Sequence, residues 1–269
     1  MPTVTINNVA IHYLDKGEGP SGTLVFLHGF PLSGEMWKAQ VEGLSARWRV
    51  IVPDFRGFGL SGETGPFSIE QLADDTHGLI KELGLGKVVL AGLSMGGYVA
   101  LAYVRKYAAS LRGLILMDTK AEPDTAEGKV NRDRMIVIAK ERGAKPIADV
   151  MLPKLVPAEV LEHRPAIVRE LRAMMEGTKP LTIAHALAAM RDRPDRTAEL
   201  SEINVPVLNV VGEKDAITPV EVMKAMGEKI AGSELAVILA SGHMTNMEQA
   251  TQVNTVIEHF LMGLAHRDR

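Results

Sequence analysis

The chain has 269 residues, of which 46% are hydrophobic and 23% charged, with a formal net charge of −3. That is enough apolar chain for one large α/β domain carrying an insertion, or for two small domains; the balance excludes a disordered protein and gives no electrostatic reason to bind nucleic acid or an anionic membrane. The cysteine count of 0 removes disulfides, thiolate metal sites and a cysteine nucleophile. Residues 1–8 lack the basic start and apolar stretch of a secretory leader, and no uncharged apolar run approaches the roughly 20 residues of a membrane span. The expectation is a soluble cytoplasmic protein, monomer or homodimer.

In chain order, residues 4–6 and 10–14 flank Asn7-Asn8, a hairpin signal, and the run Gly17-Glu18-Gly19-Pro20-Ser21-Gly22 is a loop by composition. Apolar runs of buried-strand length follow at 23–27, 49–52, 87–90, 113–117, 206–211 and 235–239, mostly separated by helix-length segments. That alternation predicts a parallel sheet covered on both faces, with the opening hairpin adding antiparallel strands at one edge. Residues 119–203 interrupt it. They contain no convincing strand, only helical stretches punctuated by Pro146, Pro153, Pro157, Pro165, Pro180 and Pro194, and read as an inserted cap.

Chemistry concentrates at the strand ends. Residues 90–97 read Leu-Ala-Gly-Leu-Ser-Met-Gly-Gly, a G-x-S-x-G pentapeptide between an apolar β-branched run and a helix-length apolar stretch. Strand, sharp turn and helix is the context of a nucleophile elbow, which lifts the Ser94 hydroxyl clear of the sheet; Gly92 and Gly96 meet the steric need of the close approach. Acyl transfer by a serine also needs a base, an acid to orient the base, and donors for the oxyanion. Asp215, in the loop after 206–211, is the acid candidate, with Glu213 and Asp118 as rivals; a turn or N-cap aspartate is the structural alternative. His243, after 235–239, is the base candidate. His12, His77, His163, His185, His259 and His266 sit in ordinary strand, helix or tail settings, and His28 reads as a brace for its own loop. The oxyanion donors are the backbone N–H of Met95, which follows the nucleophile, and that of Phe30 in the loop Leu27-His28-Gly29-Phe30-Pro31, since Pro31 has none to offer.

Together His28-Gly29-Phe30-Pro31, Asp54-Phe55-Arg56-Gly57-Phe58-Gly59-Leu60-Ser61, Gly92-Leu93-Ser94-Met95-Gly96-Gly97, Gly212-Glu213-Lys214-Asp215, and Gly242-His243 with Glu248 resemble the α/β-hydrolase superfamily over the whole chain. The resemblance implies an α/β-hydrolase fold: a mostly parallel sheet of eight main strands, the second antiparallel, flanked by helices, with a helical cap after the sixth. The core would be residues 1–118 and 204–269, and the cap residues 119–203. The His-Gly-Phe-Pro loop also looks like that of epoxide hydrolases and dehalogenases, whose nucleophile is aspartate; a serine at position 94 argues against alkyl-enzyme chemistry. The elbow and cap resemble those of bacterial carboxylesterases, 3-oxoadipate enol-lactonases and cofactor-free perhydrolases, and the set overlaps carbon–carbon bond hydrolases.

The expected function is therefore cleavage of small to medium acyl esters through an acyl-enzyme, with Ser94, Asp215 and His243 as triad and no metal or organic cofactor. A lactonase is the alternative. Perhydrolysis would be a side activity, and a non-catalytic ligand receptor would ordinarily have lost a triad member. Leu32, Met151, Leu152, Met174, Met175, Leu187 and Met190 are candidate lining for the substrate pocket, methionine suiting an adaptable apolar surface. An enol-lactonase must bind a carboxylate, so a cap arginine facing the pocket would favour that alternative and an apolar pocket would not.

Overall fold

The computed structural model describes residues 2–63 and 65–267, without the side chains of His266 and Arg267; the expectation for His266 thus lies outside the described residues. The N-terminal hairpin forms as β1 (Thr3–Ile6) and β2 (Val9–Lys16), turning at Asn7 and Asn8, both at positive φ. Asparagine tolerates this conformation better than most residues. Then come β3 (Thr23–Leu27), α1 (Lys38–Leu44), β4 (Arg49–Pro53), α2 (Ile69–Glu82), β5 (Val88–Leu93), α3 (Met95–Tyr107) and β6 (Leu111–Met117). Ser68 caps α2 by accepting the Gln71 N–H at 3.1 Å.

The insertion is helical. It holds α4 (Ala126–Arg142), α5 (Ala144–Leu155), α6 (Ala158–His163), α7 (Pro165–Gly177) and α8 (Pro180–Asp192). Pro165 and Pro180 open their helices, where a missing N–H leaves nothing unpaired. Pro146 and Pro153 do not punctuate: α5 runs through both. Pro146 lies in the first turn, whose N–H groups have no helical partner, and Pro153 lies near the helix end, freeing only the carbonyl of exposed Asp149. The chain returns through β7 (Val207–Gly212), α9 (Val220–Gly227), β8 (Glu234–Ile238), α10 (Thr245–Glu248) and α11 (Ala250–Arg267).

The strands form one eight-stranded sheet in the order β1-β2-β4-β3-β5-β6-β7-β8, parallel from β4 onward, with β2 antiparallel to both neighbours. Alternation along each strand feeds two cores. Val25, Leu27, Leu90, Leu114 and Val211 pack with α2 and α3; Leu24, Phe26, Val89, Ile115 and Val210 pack with α1 and α11. The central strands β5 and β7 are buried along their whole length, as the apolar runs predict. The run 235–239 differs. It is the sheet edge, with no further strand beyond it among the described residues, and Leu235, Val237 and Leu239 remain exposed. No helix among the described residues is long and apolar enough to cross a membrane.

Candidate active site

The parallel register brings the carboxyl ends of β5, β6, β7 and β8 to one sheet edge, with Leu93 beside Met117, Met117 beside Val210 and Gly212 beside Ile238. Ser94, Asp118, Asp215 and His243 all follow these ends, where open α/β sheets gather their reactive groups. Ser94 stands at φ 54°, ψ −111°, strain that a serine adopts only when its surroundings impose it. They do so through four bonds. Its N–H donates to the Met117 carbonyl at 2.9 Å; its carbonyl accepts the N–H groups of Gly97 and Tyr98 and, at 2.9 Å, the Thr119 hydroxyl. The glycines are needed for closeness. A Cβ on Gly92 would lie 2.2 Å from the Gly96 oxygen, one on Gly96 2.2 Å from the Leu27 oxygen, and one on Gly97 2.4 Å from Thr119 Oγ1. The elbow is thereby wedged between β3 and β6.

The loop after β3 lies against the elbow: a Cβ on Gly29 would sit 3.7 Å from that of Ser94. His28 braces it. Nδ1 contacts the Gly29 carbonyl at 2.9 Å and Nε2 accepts the Phe55 N–H at 3.0 Å, so the bonding pattern puts the proton on Nδ1. Burial depresses the His28 pKa, against the pull of Asp54 and the Gly29 carbonyl, which fits a neutral structural ring. Among the described residues no group takes the N–H of Phe30 or Met95, and both residues flank the same corner.

Asp215 and His243 meet directly, Oδ2 to Nδ1 at 2.8 Å, both buried. Asp215 is also a turn aspartate: Oδ1 accepts the N–H groups of Ile217 and Thr218, and Oδ2 accepts the Thr218 hydroxyl at 2.6 Å. Burial pushes its pKa up, but His243 and Thr218 outweigh it, and the net shift is downward. Of the rivals, Glu213 turns away to accept the Ala240 N–H. Asp118 is fully buried and bonds Gly212 and Thr245 instead. Asp118, Asp215 and His243 are the one grouping of the described residues with donor atoms close enough to hold a metal ion, all within 4.8 Å of one another, and N–H and O–H donors already engage both carboxyls.

Two supports of His243 were not legible in the sequence. Its N–H donates to the Leu155 carbonyl of α5 at 3.0 Å, so the cap itself holds the histidine loop. Glu248, named above only as part of a motif, accepts the N–H groups of Gly242 and Met244 on either side of His243.

The candidate lining residues divide between the two cores. Leu32, Leu152 and Met175 are buried on the α1 and α11 side with Met174 packed against them; Leu187 and Met190 are buried on the Phe30, Met95 and Tyr98 side; half-buried Met151 touches both. Of the cap arginines, Arg193 and Arg196 are buried; Arg196 pairs with Glu70 and Glu199, while Arg193 lies beside Tyr98. Arg193 is already engaged by Asp124 at 2.8 Å and by the Met190 and Glu122 carbonyls, and its guanidinium stacks 4.0 Å over the Tyr98 ring.

Comparison with known proteins bears on the family and the fold. The sequence model of the alpha/beta hydrolase family matches residues 24–256. An AB hydrolase superfamily protein of Bacillus subtilis, YisY, is 32% identical, the match covering 95% of this chain and 97% of that one. A thermophilic esterase from Thermogutta terrifontis superposes with a TM-score of 0.94 at 41% identity, covering 98% of each chain. The enol-lactonase from Burkholderia xenovorans LB400 superposes at 0.91 with 28% identity, covering 97% of this chain and 100% of that one.

Proposed function

Since this chain belongs to the alpha/beta hydrolase family and is a carboxylic ester hydrolase, we propose that it works through an acyl-enzyme on Ser94, with His243 as base and Asp215 as the acid that orients it. The observation that carries this reading is the 2.8 Å bond from Asp215 to His243 Nδ1, at the sheet edge that also bears a serine in strained elbow geometry. With Nδ1–H committed to Asp215, Nε2 is left to accept the Ser94 proton. Ser94 Oγ then bonds to the carbonyl carbon, and the carbonyl oxygen gathers negative charge between the N–H groups of Phe30 and Met95. Each donor supplies roughly 3 kcal/mol to the transition state. Collapse breaks the bond to the alkoxy oxygen, which leaves as the alcohol with the proton from His243. Water, losing its proton to His243, attacks the acyl carbon and frees the acid and Ser94. Asp215 stays ionised throughout and stabilises the imidazolium.

Esters with uncharged acyl chains suit this site better than carboxylate-bearing lactones. The two buried cap arginines are already paired with carboxylates of the protein, Arg193 with Asp124 and Arg196 with Glu70 and Glu199. Apolar side chains such as Met151 and Met174 are the half-buried surface of the cap. A panel of p-nitrophenyl esters from acetate to decanoate, run beside small lactones with and without a carboxylate, tests this. Ester turnover at about 1 per second or faster, with carboxylate-bearing lactones poorer, is expected. Turnover of carboxylate-bearing lactones alone would contradict the substrate class.

A further inference from the structure

One buried carboxyl beside the His243–Asp215 pair has no part in that mechanism. Asp118 ends β6 at φ 45° and is fully buried. Its Oδ1 accepts the N–H of Gly212 at 2.9 Å, and its Oδ2 accepts the Thr245 hydroxyl at 2.5 Å. Gly212 closes the strand that leads to Asp215, and Thr245 opens the short helix just after His243. Asp118 is therefore tied to the loops of both partners, and it offers an oxygen within 4.8 Å of each.

Neither of these bonds requires a carboxyl. An asparagine would accept from Gly212 and bond Thr245 equally well, without the penalty of burying an ionisable group. What a carboxyl adds over an amide is the capacity to take a negative charge beside His243. We propose that Asp118 is a second acid for His243, a positioning residue that holds the imidazolium when the Asp215 carboxylate is absent. The inference rests on the reading of His243 as base and Asp215 as its orienting acid.

The charges around Asp118 explain why it does not compete in the intact protein. Asp215 after β7, His243 before α10 and Glu248 within α10 face it. Burial first, then the charge of Asp215, holds its pKa well above the ordinary carboxylate range; Thr245 and Gly212 pull the other way, and Glu248 adds a further push upward. Of the two carboxyls beside one imidazole, Asp215, whose pKa is shifted down, thus takes the negative charge more readily than Asp118. Truncating Asp215 removes one of the upward pushes and opens space toward His243 Nδ1. Asp118, ionising more readily once that push is gone, then accepts the Nδ1–H bond.

The test is kcat/KM for p-nitrophenyl butyrate from pH 5 to 9 in wild type, Asp118→Asn, Asp215→Ala and the double variant, each checked for a cooperative thermal transition. Asp118→Asn alone lowers the rate a few-fold. Asp215→Ala lowers it on the order of 10²-fold, and its remaining activity climbs with pH through an extra step absent from wild type. The double variant loses on the order of 10⁴-fold, the cost of a triad with no acid, and lacks that step. Equal factors for Asp118→Asn on both backgrounds would reduce Asp118 to a structural tie and overturn the proposal. The pH step in Asp215→Ala answers the same question without touching Asp118, so its absence overturns the proposal even if the Asn variants do not fold. An Asp215→Ala protein as active as wild type would instead contradict the reading of Asp215 on which the inference rests.

Discussion

Replacing Ser94 by alanine lowers kcat for p-nitrophenyl esters on the order of 10⁶-fold while leaving the fold and KM largely intact. The size follows from what is lost. The alanine variant keeps the Phe30 and Met95 donors and the cap, so it still binds the ester and still stabilises an oxyanion, but the only attacking oxygen left is water. Alanine also fits the space, since the bonds that hold position 94 run through its backbone: N–H to Met117, and carbonyl from Gly97, Tyr98 and Thr119. Thermal unfolding beside the kinetics separates the two effects. A large loss of rate with an unchanged transition is the expected pair of results. A rate within tenfold of wild type would mean that another group attacks.

His243→Ala costs a comparable factor, and the Ser94→Ala, His243→Ala double variant is no slower than either single one. A nucleophile and its base act as one unit, so removing the second after the first takes away nothing further. The histidine is held from three sides: Asp215 on Nδ1 at 2.8 Å, the Leu155 carbonyl on its N–H at 3.0 Å, and Glu248 on the flanking N–H groups of Gly242 and Met244. Such a ring has one orientation, and His28, in the loop after β3, has both nitrogens occupied in bracing its own loop. Multiplicative losses in steady-state kcat would show that the two residues do not share a step.

Strand runs and the elbow were legible in the sequence because each rests on local rules. A buried parallel strand is a continuous apolar run, as β5 and β7 are, and the elbow needs glycines on either side of Ser94 because backbone meets backbone there. The two readings of Asp215, turn residue and triad acid, could not be separated by sequence; in the structure one oxygen serves the turn and the other faces His243, so the geometry admits both. The remainder depends on distance in space. That Leu155 holds the His243 loop joins residues far apart in the chain, and a backbone carbonyl carries no residue identity to read. The burial of Asp118 beside Asp215 is set by strand order, which pairs β6 with β7 across the whole cap insertion. The edge position of β8 likewise follows from topology, so its exposed Leu235 and Val237 looked like core. Pro153 looked like a helix break because its lost bond falls on an exposed carbonyl, a fact of the folded surface alone.

The central claim is that Ser94 carries the acyl group. An ethyl fluorophosphonate, which phosphonylates only an activated serine, followed by intact-mass and peptide analysis, tests it most directly. One adduct per chain is expected on the peptide containing Ser94, absent from Ser94→Ala and slowed by several orders of magnitude in His243→Ala. An adduct on any other residue that accompanies loss of esterase activity, or labelling that survives Ser94→Ala, would contradict it.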